Sequence, residues 1–294
     1  IPSDSSENVK LGWFAIAYIL WDTAYTLCDV PIFGILTSMS QSIDERNTIQ
    51  SYKSIATYAG VGITSTLATV LVSEKVGMNY GMISIIICTY NREKYISPLL
   101  ESIAKNDYPK GDYEILLVDN NCTDNTRAVC QSFAETHKDV NFRYVVEPEQ
   151  GLSAARNKGI KESKGDIIIY VDDDALVDSN YISSYADHLA NNPNTMAAGG
   201  PIEPLYETEE PKWMSPYTKA LLTAWMNYGT KVCEYPKGRY PGGGNAAYRK
   251  VVFDKVGLFN TELGRKGTAL LASEEKDIFD KMHALGMQVK YLPT

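Results

Sequence analysis

Apolar and polar positions follow two different rules along this chain, and the change falls near residue 81. From Leu11 to Leu36 the only charges are Asp22 and Asp29, and Ser54 to Ser73 carry none. Each run is long enough to cross a bilayer as a helix. Ser, Thr, Gly and Tyr dilute both runs, which leaves open a pair of buried helices in a soluble domain. No basic stretch leads into a short apolar core with a small-residue cleavage site, so a signal peptide is not expected.

From Met82 onward, short apolar runs alternate with amphipathic stretches. Met82–Cys88 is nearly continuous in apolar residues, as a parallel strand covered on both faces requires. Ile96, Leu99, Leu100 and Ile103 then recur at helical spacing over Lys94–Asn106. The same reading predicts strands at Glu114–Val118, Asn141–Val146, Asp166–Val171 and Gln288–Leu292. Helices are predicted up to about Thr136, capped by Thr123 or Asp124, then over Ser153–Ser163 and from Asp178. Strand and helix in strict alternation imply an α/β open sheet with helices on both faces.

Charge and cysteine usage narrow the class. Lys and Arg number 28 against 36 Asp and Glu, a formal net charge of −8. A nucleic-acid backbone binder has a net basic footprint, so no nucleic-acid partner is expected. Five scattered cysteines with no CxxC pair give neither a disulfide framework nor a zinc site, which fits a reducing compartment.

The polar clusters stand where the strands end: Thr89-Tyr90-Asn91-Arg92, Asp119–Asp124 and Asp172-Asp173-Asp174. Open α/β sheets bind ligands at the carboxyl ends of their strands. With no GxGxxG after the first strand and no GxxxxGK[ST], dinucleotide and P-loop readings lose their main support. Three adjacent carboxylates raise one another's pKa unless neutralised. Oxygen ligands favour Mg²⁺ or Mn²⁺ shared with a substrate's phosphates, and the other reading is a solvated acidic turn capping the next helix. Strand alternation predicts that Asp172 and Asp174 point together and Asp173 points away.

Ile83–Arg92, Val118–Asp124, Gln150–Gly159 and the Asp triplet, in this order and spacing, resemble the family 2 glycosyltransferases, inverting enzymes with the GT-A nucleotide-sugar fold. The resemblance spans residues 82–294. It implies that Thr89, Tyr90 and Arg92 cradle the nucleobase and that Asp119 hydrogen-bonds it, most often as uracil. It places Asp124 near the ribose, Arg156 on a helix facing the donor, Asp172 and Asp173 at the ribose or sugar, and Asp174 with Asp172 at the metal. Arg156 and Asn157 could otherwise lie on an exposed helix face. A nucleotide-sugar donor, a saccharide or lipid-linked acceptor, and a place in the cytoplasm or at the cytoplasmic face of a membrane follow from the same resemblance.

The remaining residues are expected to hold the acceptor, with the donor half at 82–204 and the acceptor half at 205–294. Gly242-Gly243-Gly244 permits close backbone approach to a ligand, or is a flexible hinge. Trp213, Tyr217, Trp225, Tyr228 and Tyr235 could stack on sugar rings or belong to a core. An inverting transfer needs a base for the acceptor hydroxyl. Glu274 and Glu275 open an amphipathic helix, where acidic residues also complement the helix dipole. The resemblance makes Glu275 the base, with Glu274 in reserve, although the family commonly has Asp there. Family members often continue to a His beyond the strand at Gln288–Leu292. This chain stops at Thr294, so weakened activity is expected, and His137, His188 and His283 are expected at the surface.

Residues 11–80 carry a second resemblance. Tyr25–Pro31, Asp44-Glu45-Arg46 and Ser51-Tyr52-Lys53 look like the fourth and fifth helices and connecting loop of melibiose-carrier-type sugar:cation symporters. The resemblance implies that Asp29 contacts sugar and Thr26 lies by the cation site, and that the chain associates with a membrane through residues 11–73. A carrier needs about a dozen spans, so residues 1–81 are expected to be a joined or truncated segment. A symporter fragment and a sugar-phosphate nucleotidyltransferase are the alternative functions; the latter wants a glycine-rich basic loop that Thr89–Lys94 lacks.

Overall fold

A computed structural model describes residues 82–264 and 273–293. The two helices expected within residues 11–73 lie outside the described residues, and among the described residues no helix is long and apolar enough to cross a membrane.

Eight strands form one sheet in the order β3-β2-β1-β4-β7-β5-β8-β6. They are β1 (Ile83–Thr89), β2 (Tyr113–Asp119), β3 (Phe142–Val146), β4 (Ile167–Asp172), β5 (Thr195–Gly199), β6 (Cys233–Glu234), β7 (Asn245–Arg249) and β8 (Gln288–Tyr291). β1 pairs in parallel with β2 and with β4, and β2 with β3. The helices are α1 (Glu93–Ala104), α2 (Thr126–Thr136), α3 (Leu152–Glu162), α4 (Tyr181–Asn191), α5 (Pro216–Leu222), α6 (Val251–Val256) and α7 (Glu274–Ala284).

Side-chain alternation along β1 builds two cores. Ile83, Ile85 and Ile87 pack with Ile96 and Leu99 of α1, Phe133 of α2 and Tyr185 of α4 on one face. Ile86 packs with Ala155 and Ile160 of α3 and Ile278 and Phe279 of α7 on the other. Each of these fully buried isoleucines contributes roughly 1.5–3 kcal/mol relative to an exposed one. Burial on both faces is why β1, β2 and β4 read as nearly unbroken apolar runs.

Three strands, β5, β6 and β7, were not foreseen, and β7 matters most for the site. Asn245–Arg249 reads in sequence as an apolar step after a glycine loop, yet it forms β7, antiparallel to both β4 and β5. The sheet therefore runs without interruption across the division expected at 204/205, because β7 sits between two strands of the first half. Asn245 anchors it: its Oδ1 accepts from the hydroxyls of Tyr181 (3.1 Å) and Tyr185 (2.6 Å), and its Nδ2 donates to the Pro201 carbonyl (2.9 Å).

Candidate active site

Register brings the three polar strand ends into one row. Thr89 pairs with Asp119, and Cys88 pairs with Asp172, so the loops after β1, β2 and β4 leave the sheet side by side. The chain crosses to opposite sides of β1 to reach β2 and β4, which creates the crevice where open α/β sheets bind ligands.

The loops after β1 and β2 are laced together. Asn91 and Asn121 both adopt left-handed backbone, at φ 54° and 70°, a conformation that Asn tolerates better than most residues. Asn91 Oδ1 accepts from the Thr123 amide (2.7 Å), and the Asn91 amide donates to Cys122 Sγ (3.2 Å). Asp119 is 6% exposed. Its Oδ1 accepts from the Cys122 amide at 2.6 Å, and its Oδ2 accepts from the Tyr144 hydroxyl. Tyr90 is 51% exposed beside this pair. Burial pushes the Cys122 thiol up to about 12, against the Asn91 amide, which lowers it.

Asp124 has a structural task. Its Oδ2 accepts from the Glu93 amide (3.0 Å) and its Oδ1 from the Thr126 amide (3.1 Å), while Glu93 Oε2 accepts from the Asn125 amide (2.6 Å). The two carboxylates thus cap the first turns of α1 and α2 across each other. The hydrogen bonds from Thr126 and Glu93 hold the Asp124 carboxyl below its ordinary range, although burial acts the other way.

The acidic triplet divides differently from strand alternation. β4 ends at Asp172, and Asp173 and Asp174 lie in the following turn. Arg92 reaches both of the latter, with Nε 3.9 Å from Asp173 Oδ1 and Nη2 3.9 Å from Asp174 Oδ2. Asp172 instead faces the glycine loop: a Cβ on Gly244 would stand 2.2 Å from its Oδ2. The expectation that Asp173 points away from its neighbours fails because extended geometry ends one residue too early. Burial pushes Asp173 up to about 6; Thr89 and Arg92 pull it down, and Asp174 and Asp172 push it further up. The Thr89 hydroxyl is buried at the end of β1, on the side of Asp173.

Facing this row, Arg156 of α3 is 3% exposed and joins two carboxylates from α7. Its Nη1 lies 2.9 Å from Glu274 Oε1 and 2.8 Å from Glu275 Oε1. The guanidinium is 5.8 Å from the Tyr170 ring centre and 5.4 Å from that of Phe259. Burial opposes its charge, yet Glu275, then Cys88, Glu274 and Asp172, hold its pKa above the ordinary arginine value. Arg156 and Asn157 are therefore not on an exposed helix face: Asn157 is buried too, and exchanges hydrogen bonds with the Phe259 backbone (2.8 and 2.9 Å). Glu274 is 2% exposed, and its second oxygen accepts from the Ser273 amide (3.0 Å). Glu275 keeps part of its carboxylate at the surface.

The glycine loop closes the arrangement. A Cβ on Gly243 would stand 2.0 Å from Glu275 Oε1 and 2.4 Å from Arg156 Nη2. Only a glycine backbone can pass this close to the acidic pair and to Asp172. These glycines are thus a packing requirement of the site, and a flexible hinge does not account for them.

Other expected site residues scatter. Trp213 and Tyr217 are exposed, Trp225 and Tyr228 half-buried, and Tyr235 belongs to the core, stacked edge-on against Tyr228 and Tyr291. His283 is exposed, whereas His137 and His188 are half-buried, the former stacked on Phe133. Sequence reasoning passed over Tyr144, whose hydroxyl reaches Asp119 across 25 residues.

The donor chemistry accommodates a divalent cation of one kind. Among the described residues no three His, Cys, Asp or Glu side chains form a cage for a metal ion. Mg²⁺ and Mn²⁺ sites of enzymes acting on phosphates take one or two carboxylates and complete their shell with substrate oxygens and water. Asp172 at the end of β4 and Asp174 in the turn after it are carboxylates of that kind.

Known proteins share this architecture. The mannosyltransferase PcManGT from Pyrobaculum calidifontis, solved with GDP-Man and Mn²⁺, superposes at a TM-score of 0.54 with 23% identity, over 73% of this chain and 55% of that one. TarS of S. aureus, residues 1–349, superposes at 0.51 with 21% identity, over 72% and 60%. In sequence, the glucosyl-dolichyl phosphate glucuronosyltransferase of Haloferax volcanii is 27% identical over 67% of this chain and 61% of its own length. A dolichyl-phosphate-linked glucuronosyltransferase of Methanococcus voltae is 36% identical over 44% and 41%. The chain thus spans about three fifths and two fifths of the length of these two relatives. Residues 2–90 match the MFS/sugar transport protein family. Residues 84–257, more than half of the chain, match glycosyl transferase family 2, and this chain belongs to that family.

Proposed function

We propose that the chain is an inverting glycosyltransferase that moves a sugar from a UDP-linked donor to a saccharide or lipid-linked acceptor, with a divalent cation at Asp172 and Asp174 and Glu275 as base. The observation that carries the reading is the Arg156 clamp: two carboxylates of α7 are held across the glycine loop from the acidic end of β4. Donor and base components then flank one space. Relatives named for dolichyl-linked substrates support a lipid-linked acceptor.

In this reading the base cradle is Thr89, Tyr90, Arg92 and Asp119, with the Tyr90 ring free to stack on the base. Asp172 and Asp173 meet the ribose or sugar. When bound, Mg²⁺ or Mn²⁺ supplies positive charge against the departing diphosphate. Glu275 takes the proton of the acceptor hydroxyl as that oxygen attacks the anomeric carbon from the face opposite the diphosphate. Glu274 is a poorer base, because Arg156 and the Ser273 amide already occupy both its oxygens. Arg156 holds both carboxylates in place.

The test is turnover of UDP-sugars by the full chain with saccharide and polyprenyl-phosphate-sugar acceptors, read by NMR of the new anomeric centre. Inversion relative to the donor, with loss of turnover and retained UDP binding in Glu275→Gln, is the expected result. Retention of configuration, or full activity in Glu275→Gln, would overturn the mechanism.

A further inference from the structure

We propose that Tyr144 is a positioning residue for nucleobase recognition: its hydroxyl fixes the Asp119 carboxylate so that this carboxylate accepts the imide N–H of a uracil base. The inference rests on the uridine-donor reading above and assigns a role to a residue outside the three strand-end motifs. Tyr144 lies on β3, and β3 pairs with β2 in a register that brings Tyr144 opposite Leu117 and Val146 opposite Asp119. From there its hydroxyl donates to Asp119 Oδ2, while the Cys122 amide donates to Oδ1 at 2.6 Å.

One donor on each oxygen removes the carboxylate's freedom to rotate. Each oxygen has a second lone pair, so the group can still accept from a ligand. A recognition group whose rotamer is fixed by supporting hydrogen bonds meets its ligand with little further ordering, which is the usual purpose of such support. The Tyr144 ring is held in turn. It packs against the core of the α1 and α2 face, and the Arg127 guanidinium lies 6.0 Å from its centre. Burial, and then the bond to Asp119, keep the phenol protonated well above its ordinary range, so it remains a donor at any working pH. A uracil ring offers one imide N–H between two carbonyls, and N3-methylation removes that donor while leaving the stacking face intact.

The experiment is calorimetric titration of the full chain with UDP and with N3-methyl-UDP, both in Mn²⁺, for wild type, Tyr144→Phe, Asp119→Asn and the double variant. The wild type should bind UDP at least about tenfold more tightly than N3-methyl-UDP, the discrimination one hydrogen bond to a charged group gives. Tyr144→Phe keeps the ring and should weaken UDP by about tenfold while changing N3-methyl-UDP less than about twofold. The double variant should bind UDP no more weakly than Asp119→Asn alone, because the two residues act through one carboxylate. A wild type that binds the two nucleotides alike overturns the role of Asp119 and the inference with it. A wild type that discriminates, with a Tyr144→Phe variant that discriminates equally or with additive losses in the double variant, overturns the inference alone.

Discussion

Replacing Gly243 by alanine adds one methyl group at the most crowded point of the site. The new Cβ would stand 2.0 Å from Glu275 Oε1 and 2.4 Å from Arg156 Nη2. Reaching an ordinary contact of about 3.4 Å requires the carboxylate to retreat by about 1.4 Å. It cannot do so alone, because Arg156 ties it to Glu274, and Glu274 is buried and fixed by the Ser273 amide. Overpacking of this kind costs about 1–3 kcal/mol in stability. A base displaced by about 1 Å costs on the order of 100-fold in rate. Gly243→Ala should therefore lower the urea midpoint modestly and lower kcat by about 100-fold, with donor KM within about threefold. Gly111→Ala is the control, since no atom lies within 4 Å of its added Cβ. Gly243→Ala with wild-type kcat would refute the claim that Glu275 is held at the reacting centre by this packing.

Further outcomes follow from the same geometry. Arg156→Met leaves Glu274 buried without its counter-ion, and should cost about 3–5 kcal/mol by urea denaturation; a loss under about 1 kcal/mol would show that the clamp is loose. Asn245→Ala strands the Tyr181 and Tyr185 hydroxyls in the core, for a loss of about 2–4 kcal/mol in the same assay, and an unchanged midpoint would contradict the anchoring of β7. Burial raises the thiols of Cys88, Cys122 and Cys130 to about 12 each. Peptide-resolved alkylation of the native chain at pH 8 should therefore label them at least roughly a hundredfold more slowly than free cysteine. Labelling at the rate of free cysteine would mean that these thiols are open to solvent.

How much the sequence disclosed depended on the range of the interaction. β1, β2 and β4 were legible because strands buried on both faces must be apolar throughout, and their polar ends marked the crevice. β7 was not, since Asn-Ala-Ala-Tyr-Arg has little β propensity and is held as a strand by its neighbours on both sides. Asp124 was legible as a cap of α2, but its exchange with Glu93 across the two loops was not, because that pairing is set by where the loops meet. Arg156 meets Glu274 across 118 residues, and no local pattern encodes that distance. Asp173 was misoriented in the reading because alternation was carried one residue past the end of β4.

The most direct test of the account is the affinity of the full chain for UDP in Mn²⁺, after chelation, and in Asp174→Asn. The account predicts binding in Mn²⁺ that weakens at least about tenfold both on chelation and in the variant. Equal affinity in all three conditions would contradict a donor held by a cation at the acidic end of β4.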